Sequence, residues 1–454
     1  MTGTLMVSVS GMRGVVGTDL TPELVSRHAA ALGAWARASG NATVVLGRDS
    51  RTSGSMFSRA AEAGLMSVGA RVIQLGIVPT PTVQLAVEHH RAGAGLILTA
   101  SHNPIAWNAL KLVGPDGIFL DAAAGGEVRR LAEQGPQRAG WDGLGRVEYD
   151  NDAVARHLDQ VLALPQVDVE AVRRRGFTVA LDCVRGAGGT IVPELLERLG
   201  CRVAAINLET DGRFPRAPEP VPENLGDLGR LVRDRGADVG LAVDPDVDRL
   251  ALVDETGTPI GEDYTLAFAV RSVLAGDGAT GRPVVVANLS TSLVVEDAAR
   301  EGGAEFERAP VGEANVAQAI VSRGAVIGGE GNGGVMLPAL HPGRDAPAGV
   351  ALILHFLATT GLTVSEAVLG WPRYRIVKAK VPRGKALEPT YESLQVRFTD
   401  ATVNTADGLR LSWPDRWVHL RPSGTEPVVR IIAEAPSEAA AEELIEACKS
   451  VMDT

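Results

Sequence analysis

Short apolar runs alternate along the chain with Ala- and Leu-rich stretches whose apolar positions recur every three or four residues. Six runs stand out, at residues 42–46, 95–98, 178–181, 239–243, 284–287 and 325–327. Each ends in a glycine-rich or polar turn: GRDSRTSG, TASHNP, DCVRGAGG, DPDVDR, NLSTS and GGEGNGG, in that order. Continuous β-branched runs bounded by turns predict buried parallel strands. The helical spacing predicts helices over 22–38, 57–68, 126–133, 191–199 and 264–275. The grammar is repeated α/β, and in open α/β sheets ligands gather beyond the carboxyl ends of the strands, where these polar turns fall.

From about Trp371 the pattern changes. Alternating strands YRIVKAKV, GLRLSW and WVHL, a helical segment over 388–396, the run VVRIIAEA and a closing helix over 437–451 predict an α+β unit. Candidate linkers are 135–149, with four glycines, 254–261 and 370–372. Length alone suggests about three domains. The pattern predicts four: 1–148, 149–254, 255–370 and 371–454.

Composition narrows the function classes. With 45% apolar and 22% charged residues, 52 Gly and 26 Pro, the chain is globular and rich in turns, which excludes disorder and collagen-like repeats. A net charge of −11 argues against nucleic acid or an anionic membrane as partner, so an anionic ligand needs a local basic pocket. Cys183, Cys201 and Cys448 share no CxxC spacing and read as buried thiols in a reducing compartment. The start MTGTLMVSVSGMRG lacks the layout of a signal peptide, and no 18 apolar residues run uninterrupted, so a soluble cytoplasmic protein is expected.

Four constellations carry chemistry. Asp244, Asp246 and Asp248 stand two residues apart at the mouth of a strand; extended alternation aims all three one way, a hard oxygen cage suited to Mg²⁺. An EF-hand shares the register, with Glu255 at the twelfth position, but Arg249 replaces its glycine and no helix enters the loop. The plainer alternative is a solvated acidic turn. In TASHNP, Ser101 is an exposed candidate nucleophile, or else Ser101 or Asn103 caps a helix. No G-x-S-x-G elbow supports a hydrolase. In RPSGTEP, small residues let Ser423, Gly424 and Thr425 form an anion nest clamped by Arg421 and Arg430, the alternative being a hairpin turn with surface arginines. In GGEGNGG, glycines allow close backbone approach while Glu330 and Asn332 select hydroxyl or amino groups.

Taken in order, TASHNP, DPDVDR, the glycine-rich loop and RPSGTEP resemble the α-D-phosphohexomutase family over essentially the whole chain. GMRG, GRDSR, PTP, PEPVPENL, PVGEA and GRDA add to the resemblance. It implies three related mixed-sheet α/β domains and a C-terminal α+β phosphate-binding domain around a central cleft. It also implies that Ser101 carries a phosphoryl group, and that one oxygen of that group joins Asp244, Asp246 and Asp248 in holding Mg²⁺. Phospho-Ser101 then phosphorylates a hexose monophosphate; the resulting hexose 1,6-bisphosphate, also the activator, turns around and returns its other phosphate. The distal phosphate sits on Arg421, Ser423, Gly424, Thr425 and Arg430 in both halves of the cycle.

Proton transfer falls to Lys111, His102 or Arg13, with Lys111 first. Arg249 steadies the phosphoserine or its carboxylate neighbours, His341 lines the cleft, and Gly312 belongs to the sugar-binding PVGEA segment. Two departures stand out. The E-x-S-G-H of many members is here Glu330-Gly331-Asn332-Gly333-Gly334, without the histidine. Ala109 replaces a glycine, and a left-handed turn there costs about 1 kcal/mol. The EGNGG loop with PVGEA resembles the archaeal-type phosphoglucosamine mutase branch, in which Glu313 and Glu330 favour a cationic amino sugar; phosphomannomutase/phosphoglucomutase is the alternative. Intact Ser101, Asp244, Asp246, Asp248 and Lys111 argue against a non-catalytic phosphosugar-binding protein, and a metal-dependent phosphatase, with water in place of the returning sugar hydroxyl, is the other minor class. Monomer and homodimer both stay open.

Overall fold

A computed structural model describes residues 5–8, 11–276, 282–383, 386–423 and 428–452. The first sheet holds β1 (Met6–Ser8), β2 (Gly11–Val15), β3 (Thr43–Arg48), β4 (Arg71–Ile77), β5 (Ala94–Leu98), β6 (Trp107–Val113) and β7 (Val147–Tyr149), in the order β1-β2-β6-β5-β3-β4-β7. The second holds β8 (Thr178–Asp182), β9 (Arg202–Ile206), β10 (Val239–Val243) and β11 (Leu250–Val253), ordered β11-β10-β8-β9. The third holds β12 (Val284–Asn288), β13 (Glu305–Ala309), β14 (Ile327–Glu330), β15 (Gly334–Leu337) and β16 (His341–Arg344), ordered β13-β12-β14-β15-β16.

These three sheets share one plan. In β4-β3-β5-β6, β9-β8-β10-β11 and β13-β12-β14-β15, three parallel strands are followed by one antiparallel strand. The turn from the third strand to the fourth carries, in turn, Ser101, the Asp244–Asp248 series and the 331–333 glycine loop. One topological position thus delivers three different chemistries. The fourth sheet, β17 (Arg375–Pro382), β18 (Thr402–Asn404), β19 (Leu409–Ser412), β20 (Trp417–Pro422) and β21 (Val428–Ala435), is antiparallel throughout and ordered β17-β21-β20-β19-β18.

The second and third sheets share a continuous apolar core running from Leu158 to Trp371, whereas the first and fourth sheets have cores of their own. At the centre of the shared core lies helix Ala346–Thr360, apolar all round as a buried helix must be. Asp345 caps it by accepting from Ala348 N, and Gly361 closes it in left-handed backbone. That cap fixes the strand end that carries Arg344 into the site.

Several expectations shift. The 135–149 segment is no simple linker, because its last residues form β7 and pair in parallel with β4. Around 254–261 the chain makes a tight turn in which the Asp254 carboxylate accepts from Thr256 N and Thr258 N. Ala109 lies in regular strand β6, so no left-handed turn occurs there. Ser101 takes that conformation instead, at φ 49°.

Candidate active site

The first turn builds the nucleophile position. Ser101 is buried, its N–H donates to Thr99 Oγ1 at 3.0 Å, and its Oγ donates to Asp244 Oδ2 at 2.9 Å across the boundary between the first and second sheets. A non-glycine residue in left-handed backbone costs on the order of 1–3 kcal/mol and persists only where its surroundings fix it.

The second turn builds the carboxylate triad, by a different route from the expected extended alternation. Val247 sits at φ 61° and its N–H donates to Asp244 O, so the segment is a tight turn. The three carboxylates still converge, each offering an oxygen within 4.8 Å of the others, and all are fully buried. Asp246 and Asp248 are each held through one oxygen, Asp244 through both. Asp244 Oδ1 accepts from Asp248 N and Arg249 N, Asp246 Oδ2 from Thr80 Oγ1 and Lys111 Nζ (both 2.7 Å), and Asp248 Oδ2 from Arg344 Nη2 at 2.6 Å. Asp246 Oδ1 and Asp248 Oδ1 are buried with no hydrogen-bond partner. Orphaned buried carboxylate oxygens are costly. An all-oxygen donor set of this kind fits a hard divalent cation.

The electrostatics follow from this crowding. Burial, then the neighbouring Asp248 and Asp246, pushes Asp244 well above the carboxylate range. Burial works the same way on Asp246, but Lys111 and Thr80 outweigh it and hold that carboxyl low. For Lys111 burial lowers the pKa, and Asp246 with Asp248 more than reverses it, so the group is an ammonium. Burial, with Arg249 and Arg13 nearby, takes His102 down to about 2; its neutral ring places Nδ1 3.3 Å from Ser101 Oγ. Arg13 Nη1 donates to Asn103 Oδ1 at 2.7 Å, bracing the same loop. Arg249 Nη1 reaches Glu219 Oε1 at 3.3 Å, and its Nε lies 3.9 Å from Asp248 Oδ1.

The third turn changes the picture of sugar recognition. Glu330 accepts from Asn288 Nδ2 (2.8 Å), Gly312 N (3.2 Å), Asn332 Nδ2 (3.4 Å) and Arg344 Nη1 (3.1 Å). Glu313 Oε2 accepts from Arg344 Nε at 2.9 Å. Both expected selector carboxylates are therefore already paired with Arg344, whose single charge they share with Asp248 of the triad. Asn332 turns its Oδ1 to Gly334 N. His341, expected to line the cleft, is 2% exposed, accepts from Gly343 N at 3.2 Å and keeps Nε2 3.5 Å from Asp345 Oδ2.

In the fourth domain, Arg421 and Arg430 are cross-strand partners on β20 and β21, and Arg421 Nε lies 2.9 Å from Asp407 Oδ2. Ser423 N donates to Val428 O at the neck of the loop, whereas Gly424 and Thr425 lie outside the described residues. The sequence reading gave no role to Arg344, Arg51 or His157. The first two sat in motifs (GRDA, GRDSR) whose partners are remote in sequence. His157 carried no signal, yet its Nε2 lies 2.8 Å from Asp345 Oδ2 and its Nδ1 2.9 Å from Thr82 Oγ1, tying three parts of the chain together.

Three related sheets delivering a serine, a carboxylate triad and a glycine loop to one place, with a fourth, antiparallel sheet, define the class of multi-domain sugar-phosphate mutases. Family comparison agrees. The chain matches the phosphoglucomutase/phosphomannomutase alpha/beta/alpha domains I, II and III over residues 5–139, 155–257 and 261–374, and the C-terminal domain over 376–450. It belongs to the phosphoglucomutase/phosphomannomutase family and is an isomerase of the phosphohexomutase type. It is 38% identical to a "probable phosphoglucosamine mutase" of Methanopyrus kandleri, over 96% of this chain and 95% of that one. It is 36% identical to a "phosphoglucomutase/phosphomannomutase" of Thermococcus kodakarensis, over 96% of each. A crystal structure of a phosphoglucomutase/phosphomannomutase family protein from Burkholderia thailandensis superposes with a TM-score of 0.86 at 25% identity, covering 100% of this chain and 98% of that one. No helix among the described residues is long and apolar enough to cross a membrane.

Proposed function

We propose that this protein interconverts 6-phospho and 1-phospho hexoses through a phosphoserine at Ser101 and a hexose 1,6-bisphosphate, with glucosamine 6-phosphate and glucosamine 1-phosphate as its pair. One observation carries the mechanism: a buried serine Oγ 2.9 Å from Asp244 Oδ2, at the edge of a triad with two unpartnered oxygens. The name of the Methanopyrus relative supports the sugar.

Asp244, Asp246, Asp248 and an oxygen on Ser101 would hold Mg²⁺, which when bound neutralises charge on the transferring phosphoryl group. In the first transfer the bond from phosphorus to Ser101 Oγ breaks as one to the sugar hydroxyl oxygen forms. The hydroxyl proton ends on Ser101 Oγ. There it faces Asp244 Oδ2, 2.9 Å from that oxygen, with the neutral His102 ring 3.3 Å away. Lys111, an ammonium clamped by Asp246 and Asp248, supplies positive charge and not a base, a change of role from the first expectation. Arg249 orders the triad's far side, Arg13 braces the loop, and Arg421, Ser423 and Arg430, with Gly424 and Thr425, hold the distal phosphate. The second transfer runs the same steps in reverse on the other phosphate.

A second reading, phosphomannomutase/phosphoglucomutase, is favoured by Arg344, which leaves neither Glu313 nor Glu330 uncommitted for an ammonium group. The deciding experiment compares kcat/KM for glucosamine, mannose and glucose phosphates with Mg²⁺ and the matching hexose 1,6-bisphosphate. A preference for glucosamine phosphate is expected, and a preference for either other sugar moves the protein to the second reading. Ser101→Ala is expected to fold and to lose turnover on every sugar; near-normal turnover refutes the phosphoserine.

A further inference from the structure

Arg51, in the turn after β3, is 1% exposed and uses every N–H it has. Nε donates to Asp49 Oδ2 at 3.0 Å, Nη1 to the carbonyls of Pro104 (2.7 Å) and Trp107 (2.9 Å), and Nη2 to those of Ser101 and Asn103 (both 2.6 Å). A guanidinium carries five donors in one plane, so the match is complete. Behind it, Asp49 accepts from Thr99 Oγ1 at 2.7 Å, and Thr99 Oγ1 accepts from Ser101 N. On another side the Phe214 ring, from the second domain, lies 5.1 Å from the guanidinium carbon.

Four carbonyls drawn from a seven-residue stretch converge on this one cation. Without it their dipoles repel, and the loop loses four of the hydrogen bonds that help hold Ser101 in left-handed backbone. The arrangement has a second effect. In a trans peptide the N–H points opposite to the C=O. A Ser101 carbonyl turned onto Arg51 therefore directs the His102 N–H away from it, and that N–H makes no hydrogen bond to a described residue.

We propose that Arg51 is a positioning residue for phosphoryl transfer: it holds Ser101 in the conformation that aims Oγ at Asp244 and presents the His102 N–H to the phosphoryl group on Ser101. This rests on the phosphoserine reading above. Arg51 does not touch the reacting atoms; it acts through the loop.

The test is Arg51→Lys in the full-length protein, with the folded state checked by circular dichroism and Ser101 occupancy by intact mass after incubation with a hexose 1,6-bisphosphate. Lysine keeps the charge, but its three donors sit on one nitrogen and cannot span four carbonyls. The expected result is a drop in kcat of about 10²-fold, the cost of an ~1 Å misplacement, with KM unchanged and a shifted phosphoserine ³¹P resonance. A folded variant with wild-type kcat overturns the proposal, even if its denaturation midpoint falls. Thr99→Val, nearly isosteric, removes the hydroxyl linking Asp49 to Ser101 N and is expected to lower kcat in the same direction. Should Arg51→Lys not fold, an unchanged kcat in Thr99→Val overturns the proposal instead. Wild-type protein that never carries phosphate on Ser101 refutes the phosphoserine reading, and the proposal with it.

Discussion

Two joints hold the domains together, and they are built from opposite materials. Where the first three domains meet, the links are polar side chains of the site and its surroundings, each ending on an aspartate: Lys111 to Asp246, Arg344 to Asp248, Ser101 to Asp244, and His157 to Asp345. Where the third domain meets the fourth, Val311 N donates to Asp407 Oδ2, and further links are hydrogen bonds to two buried groups away from the triad. Glu434 accepts from Ser292 Oγ, Leu293 N and Trp417 Nε1, and His419 bridges Ser290 Oγ and the carbonyl of Asp407. The first joint cannot be disturbed without changing the electrostatics of the reaction centre. The second can be weakened while the triad stays intact.

The largest effect is expected from breaking the first joint at its centre. Asp246→Asn removes a triad oxygen charge and the Lys111 ion pair together. Because loss of an outer partner of a metal ligand already costs about 10–100-fold in affinity, Mg²⁺ affinity is expected to fall by more than about 10²-fold. Calorimetric titration and the Mg²⁺ dependence of the rate measure it; a wild-type Mg²⁺ response contradicts the assignment of the triad.

Arg344→Gln comes next. It leaves Asp248, Glu313 and Glu330 buried around a neutral side chain, and losing one partner of a buried pair costs about 3–5 kcal/mol. Denaturant unfolding reads this directly. A loss under about 1 kcal/mol, the worth of an exposed pair, means that Arg344 does not join the metal turn to the sugar turn as described.

The second joint responds to acid. Burial, opposed by the Asp407 carbonyl and assisted by Arg421 and Arg410, lowers His419 to about 4. The unfolded chain therefore takes up this proton first, so the contribution is complete above about pH 6.5 and is lost as pH falls toward 4. At most about 3 kcal/mol is at stake for a shift of this size. Thermal midpoints followed from pH 7 to 4 are expected to drop less in His419→Gln than in the wild type; equal slopes rule His419 out as the sensitive group.

The contrast also explains what could be read from sequence. The site turns were legible because each packs its chemistry into a few consecutive residues, so TASHNP and DPDVDR identify themselves, and the strands before them follow from unbroken apolar runs. The route was misjudged at Asp244–Asp248, where Val247 turns the chain left-handed and brings the carboxylates together by folding back and not by alternation. Short strands such as β7 and β18, three residues each, lack the length to show a period. Arg344, Arg51 and His157 were illegible for another reason. Each acts by meeting groups far away in the chain, and nothing local marks a cation with five partners from one on the surface. The same limit applies to Glu313 and Glu330, whose acidity was visible and whose shared partner Arg344 was not.

The separation of those partners along the chain has a consequence for synthesis. Ser101 and Asp244 are 143 positions apart, and Asp248 and Arg344 are 96 apart. A ribosome adding roughly 5–20 residues per second therefore releases the serine loop many seconds before its carboxylate neighbours, and those carboxylates several seconds before the arginine that offsets them. For that interval the acidic turn has no complete cage to enter and stays in contact with water. The metal turn is closed only when the strand ending in Arg344 clears the exit tunnel, and the arginines of the fourth domain follow later still.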